Sequence, residues 1–145
     1  MANRFEELPL CASAREFWDA VTAILNRPGL RRDHALRDQI ERANDSIDAN
    51  LREGFEQPTD AAFANFVFIS KGSAAEVVAR VDEARRKSYI GRDELAHIQH
   101  LGEHLGKMMG GFIKYLYASG FTDRGRHSVA PSAPKPLQPR RRRRR

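Results

Sequence analysis

Apolar residues recur along this chain at steps of three and four, the spacing that places side chains on one face of an α-helix. Four stretches carry this pattern, and short polar segments separate them. They run over residues 10–26, 33–53, 60–87 and 92–119. No stretch shows the strict alternation of apolar and polar residues that is typical of a strand. The pattern therefore predicts an all-α protein with four helices.

The apolar stripes of the four helices are expected to meet in one core. Because the connections are only a few residues long, sequential helices are expected to lie next to each other and run antiparallel. The fold predicted is an antiparallel up-down-up-down four-helix bundle. In chain order the inward stripes are Leu10, Ala14, Phe17, Val21 and Ile24; Leu36, Ile40, Ala43, Ile47 and Leu51; Phe63, Phe66, Val77, Val81 and Ala84; and Ile98, Leu101, Leu105, Met108, Phe112 and Leu116.

Residues at the helix ends support these boundaries. Asp33 and Thr59 each precede a helix, where an oxygen-bearing side chain can cap free backbone N–H groups. Gly54 is expected just past the end of the second helix, in the left-handed conformation that glycine adopts at little cost. Gly72 lies in the middle of the third helix, where glycine costs about 1 kcal/mol relative to alanine. We therefore expect another backbone to approach closely at Gly72.

The charge of the chain is divided between two regions. The net charge is +6 over 145 residues, but residues 1–123 hold all 19 acidic residues and carry a net charge of −3. Residues 124–145 hold nine basic residues and no acidic ones, and several prolines there are incompatible with a helix. We therefore expect a bundle domain over residues 1–120, followed by a disordered Pro-rich spacer and arginine tail over residues 121–145.

Cellular location is indicated only weakly. Cys11 is the single cysteine, so no intramolecular disulfide can form. The first residues lack the basic-then-apolar order of a signal peptide, and no apolar run approaches the ~20 residues needed to span a bilayer. We expect a cytoplasmic protein with no membrane partner.

Several short sequence blocks, none of them diagnostic alone, occur in an order and spacing that together are specific. The blocks are Phe5-Glu6-Glu7-Leu8, Ala14-Arg15-Glu16-Phe17, the run from Ser46 to Phe55, Phe63-x-x-Phe66, Gly72-Ser73-x-x-Glu76, and the run from Gly106 to Lys114.

These blocks cover about residues 5–118 and resemble the four-helix-bundle family of rRNA intervening-sequence proteins. A close relative of that family is the accessory variability protein of diversity-generating retroelements. The resemblance implies a ring-like homo-oligomer, taken as a pentamer. The chain departs from the family pattern at Asp48, Cys11 and Glu41, where the family usually has proline, often tryptophan and often a basic residue. The change at Glu41 removes positive charge from the second helix.

Basic residues are the main candidates for a binding role. An arginine run attracts phosphate groups and releases counterions, but it reads no base edges. We expect electrostatic contact with RNA or DNA; the alternatives for the run are a solvated tail or an extension added to a natural bundle. The candidate nucleic-acid-binding residues are Arg31, Arg32, Lys107, Lys114, Arg140, Arg141, Arg142, Arg143, Arg144 and Arg145.

Three histidines, His97, His100 and His104, lie on the fourth helix beside these lysines. One interpretation is a strip whose positive charge grows below about pH 6.5; the simpler one is solvated residues beside the core. Di-iron bundles need two Glu-x-x-His motifs, and only the one at Glu94 and His97 is present. No metal and no other cofactor is expected.

Catalysis has little support in the sequence. Cys11 has no histidine near it in sequence, and it is expected to fill a packed position. Asn50 is expected to form a hydrogen bond across the bundle, because buried polar groups need partners. Trp18 and Phe68 fall off the inward stripes and are large for exposed positions, which indicates a contact between subunits.

The function expected is therefore a non-enzymatic, nucleic-acid-binding oligomeric scaffold. The resemblance adds one specific form of it, an accessory protein of a retroelement reverse transcriptase and its template RNA. The alternative is a protein-interaction bundle of the same family with no nucleic-acid role.

Overall fold

The computed structural model describes residues 4–119, and apart from short connections these residues are helical. The described residues contain no strand, so the predicted all-α class is confirmed. Four long helices correspond to the predicted ones, and a short additional helix lies in the first connection. The predicted spacer and arginine tail lie outside the described residues. The elements are a 3-10 turn at Phe5–Glu7, α1 Pro9–Ile24, α2 Pro28–Arg32, α3 His34–Phe55, α4 Asp60–Arg86 and α5 Arg92–Ala118.

The four long helices form the predicted up-down-up-down bundle. α3 packs along α4 and α4 along α5, while α1 lies between α5 and α3 and packs less closely on α3. Every neighbouring pair runs antiparallel. Between α3 and α4, Gly54 lies against Phe63 and Ser46 against Ser73. Between α4 and α5, Asp60 binds Ser119 just past the end of α5, and Val78 lies against Gly102 inside it. Between α1 and α5, Phe17 lies against Gly102, and Arg27, just past α1, pairs with Glu94 near the start of α5.

The core consists of the predicted stripes with few changes. All five predicted residues of α1, of α3 and of α4 are buried. On α5 the fully buried methionine is Met109, whereas the predicted Met108 and Phe112 are partly buried at the edge of the core. Leu30 of α2 is fully buried, so the first connection contributes to the core that the sequence pattern assigned only to long helices.

Side chains cap the starts of two helices, as predicted. The Asp33 carboxylate accepts a hydrogen bond from the Leu36 backbone N–H at 3.2 Å, and the Thr59 hydroxyl accepts one from the Ala62 N–H at 3.1 Å. Each satisfies one of the N–H groups that a helix start leaves free. Asp33 also binds Lys87, and it therefore ties the start of α3 to the end of α4.

Two glycine predictions were wrong. α3 continues through Phe55, so Gly54 lies inside the helix and not past its end. A Cβ at Gly54 would lie 2.7 Å from Phe63 Cδ2 and 2.8 Å from Phe66 Cβ, so close packing of α4 explains this glycine. Gly72, by contrast, is exposed, and a Cβ there would have nothing within 4 Å. No backbone approaches Gly72 among the described residues.

Polar contacts across the bundle differ from those expected. The Asn50 amide donates to the Ser46 carbonyl, a bond within α3, so its predicted role across the bundle was wrong. Ser70 crosses from α4 to the Ile47 carbonyl at 2.8 Å, and Ser46 and Ser73 bind each other at 2.6 Å. Small hydroxyl side chains therefore join α3 to α4, because they leave room for the helices to approach closely.

The two aromatic residues predicted at a contact between subunits differ in burial. Phe68 is 66% exposed on α4. Trp18 is half-buried, and its indole N–H donates to Asp45 at 3.2 Å, so a partner within the chain explains its position. Of these two residues, only Phe68 is an exposed aromatic residue without an explanation inside the described part of the chain.

α4 is more apolar than the sequence analysis allowed. By length and composition alone it could cross a membrane, although the core helix of a soluble protein passes the same test. Its buried side packs on α3 and α5.

Candidate nucleic-acid interface

A shallow groove of about 480 Å³ runs along the outer surface where α4 meets α5. Three lysines line it: Lys71 from α4, and Lys107 and Lys114 from α5. Antiparallel packing of the two helices brings Lys71 beside Gly110, where a Cβ would lie 3.7 Å from the lysine Nζ. The fold therefore joins two predicted residues, Lys107 and Lys114, to a third lysine that the sequence analysis missed.

Glycines form much of the remaining surface of the groove. Gly106, Gly110 and Gly111 line it, and Cβ atoms at Gly106 and Gly111 would have nothing within 4 Å. A helix surface without side chains lets a ligand come close to the backbone. The lysines of the groove therefore lie beside exposed helix backbone and not beside bulky side chains.

The charge of the groove is positive. Lys107 pairs with Glu103 at 3.5 Å, but both side chains are more than two-thirds exposed, so water screens this pair strongly. Lys71 and Lys114 form no ion pair with any residue that the structure describes. With Glu103 counted, the groove carries a net charge of +2.

Arg31 and Arg32 lie elsewhere. Both are exposed on α2, at the end of the bundle where the Arg27–Glu94 ion pair joins the end of α1 to the start of α5. Lys114 follows Glu94 by twenty residues, which is about 30 Å along a helix. The structure therefore separates the predicted basic residues into two places, and the predicted Arg140–Arg145 lie outside the described part of the chain.

The three histidines of α5 are all exposed, as is Lys107 beside them. Within residues 4–119, no group of three or more histidine, cysteine, aspartate or glutamate side chains is arranged to hold a metal ion. His97, His100 and His104 thus form a polar surface next to the lysine groove.

Cys11 is held in a form unsuited to nucleophilic attack. Burial, and secondarily the charge of Asp48, raises the pKa of the thiol from 9.0 to about 12, and Arg52 only partly opposes this. The thiol donates to the Phe5 carbonyl with a sulfur–oxygen distance of 3.1 Å. Since the thiolate is the reactive species, Cys11 is a poor nucleophile at neutral pH.

Comparison with known proteins identifies the family of the chain. The sequence model of the family described as 23S rRNA-intervening sequence protein matches residues 6–111, which span the bundle from the 3-10 turn to the lysine groove. The chain belongs to this family. The recognition made from sequence blocks is confirmed to that extent.

A comparison with solved structures concerns the fold alone. A solved structure of a protein of unknown function from the S23 ribosomal protein family of Bacteroides thetaiotaomicron matches this intervening-sequence protein with a TM-score of 0.63. The two are 24% identical, and the match covers 72% of this chain and 98% of the other. No curated protein matches the chain.

A sequence signal for Lys71 did exist. In an antiparallel pair joined by a short link, residues equally distant from the link lie side by side, which places residue 71 near residue 108. Applying that register to the predicted helices would have placed Lys71 between Lys107 and Lys114.

Proposed function

We propose that this intervening-sequence family member is a non-enzymatic, nucleic-acid-binding scaffold that acts as a homo-oligomer in the cytoplasm. The lysine groove formed by Lys71, Lys107 and Lys114 carries the proposal. Its support is a net positive groove of about 480 Å³ on a chain whose residues 1–123 are otherwise acidic. The pentameric state remains what the family resemblance implies.

The expected ligand is the phosphate backbone of RNA or DNA. Lysine ammonium groups neutralise phosphates and release condensed counterions, which gives affinity that falls with salt. The groove has no aromatic side chain among its lining residues to stack on a base. Binding through it is therefore expected to be independent of base sequence.

The groove is tested by removing its two unpaired charges in K71Q/K114Q. Its matched control is R42Q/R86Q, which removes two exposed arginines that pair with Asp38 and Asp82 on α3 and α4. Both variants change the net charge by −2, so long-range electrostatics are equal.

We expect K71Q/K114Q to weaken binding of single-stranded RNA about tenfold at moderate salt, and to reduce the logarithmic salt slope by about 1.4. The control should stay within about threefold of the wild type. Equal losses in the two variants would show that overall charge, and not the groove, determines affinity.

The arginine tail requires a separate test. Deleting residues 140–145 removes six positive charges and should weaken RNA binding and flatten its salt dependence. If affinity and slope are unchanged by the deletion, the tail makes no contact with the nucleic acid.

A retroelement reverse transcriptase and its template RNA are the specific partners that the family resemblance suggests. The deciding observation is the set of neighbouring genes. A reverse transcriptase gene beside template and variable repeats would support this partner, and a location inside an rRNA gene would support the intervening-sequence branch instead.

The alternative is a protein-interaction bundle with no nucleic-acid role, which the acidic charge of residues 1–123 favours. RNA affinity measured near about 150 mM salt separates the two functions, because weak nonspecific contacts are largely lost there. Absence of binding at that salt, even with the full tail, would favour the alternative.

A further inference from the structure

The bundle is open on the side where α1 faces α3. A groove of about 410 Å³ lies between these helices, which pack less closely than the other neighbouring pairs. Ala14, Trp18 and Ile47 contribute apolar surface to its lining, and four charged residues complete it: Arg15, Asp45, Asp48 and Arg52. A volume above 300 Å³ with an apolar lining and a few polar groups is typical of a binding site.

Contacts within the chain fix the groove walls in place. On the α1 wall, the Arg15 guanidinium lies 5.9 Å from the centre of the Trp18 ring, and the Trp18 indole binds Asp45 of the opposite wall. On the α3 wall, Arg52 binds Asp48 at 2.8 Å. A ligand would therefore meet a largely preformed surface, which lowers the entropic cost of binding.

The outer face of α4 is the second unusual surface. α4 is apolar enough that only 39% of its most apolar 18-residue window is buried, so apolar residues also face outward. Phe68, 66% exposed, projects from this face, and the small residues Ala61, Gly72 and Ala75 lie exposed around it. An exposed apolar patch bordered by polar residues is typical of a protein interaction surface.

These two surfaces cannot meet within one chain. α1 lies between α3 and α5 and does not adjoin α4, so the α1–α3 groove and the outer face of α4 lie on different sides of the bundle. One surface is concave, with apolar and charged residues in its lining, and the other presents a projecting aromatic side chain with small neighbours.

We propose that the α1–α3 groove of one copy receives Phe68 of a second copy, so that the outer face of α4 packs against α1 and α3 of its neighbour. This inference deepens the proposed self-association and does not depend on nucleic-acid binding. It assigns an occupant to the groove and a partner to the apolar patch around Phe68.

Charge complementarity supports this occupant. Arg15 on the α1 wall and Glu76, two turns beyond Phe68 on α4, are exposed and form no ion pair with any residue among 4–119. In the proposed contact, α4 lies along the groove in the direction that makes Glu76 of one copy face Arg15 of the next. A charge at the rim sets orientation more than affinity.

The contact is heterologous, since two different surfaces meet. Each copy can then bind one neighbour through its groove and another through its α4 face. Repetition of such a contact generates a closed ring when the rotation closes. The ring implied by the family resemblance is therefore compatible with this pair of surfaces.

Two variants test the contact from its two sides. F68D places a carboxylate on the α4 face, and A49R places a long side chain at the groove while leaving the core intact, because Ala49 is exposed on α3 and lines the groove. The matched control for the first is Y115D, since Tyr115 is another exposed aromatic residue, 51% exposed, on α5.

Mass is measured by light scattering after size-exclusion chromatography. We expect an oligomeric wild type and Y115D, and monomeric F68D and A49R, with association weakened at least about thirtyfold, as when a central aromatic anchor is lost. A mixture of F68D and A49R should form a dimer of one copy each, because F68D keeps an intact groove and A49R keeps an intact α4 face. Circular dichroism confirms that each variant is folded.

A monomeric wild type, oligomeric F68D and A49R, or a mixture that contains only monomers would overturn the proposal. The charge pair is tested by reversal: R15E should weaken association, and R15E/E76R should restore it, whereas R42E on α3 should have no effect. Failure of the reversal to restore association would exclude the proposed orientation. RNA binding by K71Q/K114Q is measured separately, so a failed contact and a failed nucleic-acid function give different results.

Discussion

At the scale of single residues, close packing explains what composition cannot. Gly54 and Gly72 both lie inside helices, where glycine carries the same intrinsic cost. The structure separates them, since Phe63 and Phe66 fill the space beside Gly54 and nothing approaches Gly72. The two glycines therefore form a matched pair of test sites.

Alanine substitution should change stability in opposite directions at these sites. G72A should raise the free energy of unfolding by up to about 1 kcal/mol, the difference in helix propensity. G54A should lower it by about 1–2 kcal/mol, because a Cβ 2.8 Å from Phe66 Cβ forces the helices apart. Urea denaturation of both variants at one low protein concentration measures the effects, and stabilisation by G54A would contradict the packing seen here.

The thiol of Cys11 offers a second prediction for a single residue. Because its pKa is raised from 9.0 to about 12, the thiolate fraction near pH 8 should be roughly a thousandfold below that of a free cysteine. Alkylation by iodoacetamide should therefore be slow in the folded protein and fast in urea. Equal rates in the two states would show that the thiol is not protected.

The same pKa shift has a consequence for stability. The folded state holds the neutral thiol, whereas the unfolded chain ionises as the pH rises past about 9. The contribution of Cys11 is therefore complete below pH 9 and is lost progressively above it. C11A should lose less stability than the wild type between about pH 8 and pH 10, as measured by the urea midpoint.

At the scale of helices, Asp33 links three elements. Its carboxylate caps α3, accepts from the Tyr89 hydroxyl at 2.9 Å and binds Lys87 at 3.1 Å. The Leu36 backbone N–H is the largest cause that lowers the pKa of Asp33, followed by Tyr89 and Lys87. One side chain therefore holds the start of α3 against the end of α4 and the connection that follows.

Substitutions of Asp33 should separate capping from charge. Asparagine keeps the cap but loses the ion pair, and alanine loses both, so stability near neutral pH should decrease from wild type to D33N to D33A. Since the folded pKa of Asp33 is lowered, its charge stabilises above the ordinary value of 3.8 and is lost as the pH falls through the folded pKa. The gap between wild type and D33N should close in acid; a constant gap would refute the charge contribution.

At the scale of the whole molecule, the proposed ring and the proposed lysine groove should act together on RNA. A ring presents several lysine grooves to one strand, and linked sites bind more tightly than single ones. F68D keeps every groove but is expected to be monomeric. Its affinity for a long RNA should therefore fall about tenfold to a hundredfold. Its affinity for a short oligonucleotide that fills one groove should fall much less, since only the new carboxylate one turn from Lys71 acts there.

K71Q/K114Q should show the opposite combination. It should weaken binding to both long and short RNA, and its mass should equal that of the wild type. Fluorescence anisotropy with RNAs of two lengths, together with light scattering, distinguishes the variants. Equal losses of long-RNA and short-RNA binding by F68D would mean that self-association does not contribute to RNA affinity.

The sequence determined the four long helices, their antiparallel order and almost all of the core, because a stripe of apolar residues at steps of three and four has one way to be buried in a bundle. Single residues such as Asp33 and Thr59 could also be assigned, since capping depends on neighbours in the chain. The family match over residues 6–111 agrees with that level of description.

Only the tertiary structure decided how the helices meet. Register and spacing between helices determine the approach of α4 to Gly54 and the open side between α1 and α3. They also group Lys71 with Lys107 and Lys114, and they keep Arg31 and Arg32 away from these lysines. The apolar pattern specifies which face is buried, but it leaves free how far each helix slides along its neighbour. That relative position comes from side-chain packing, and it brings together the residues of both proposed surfaces.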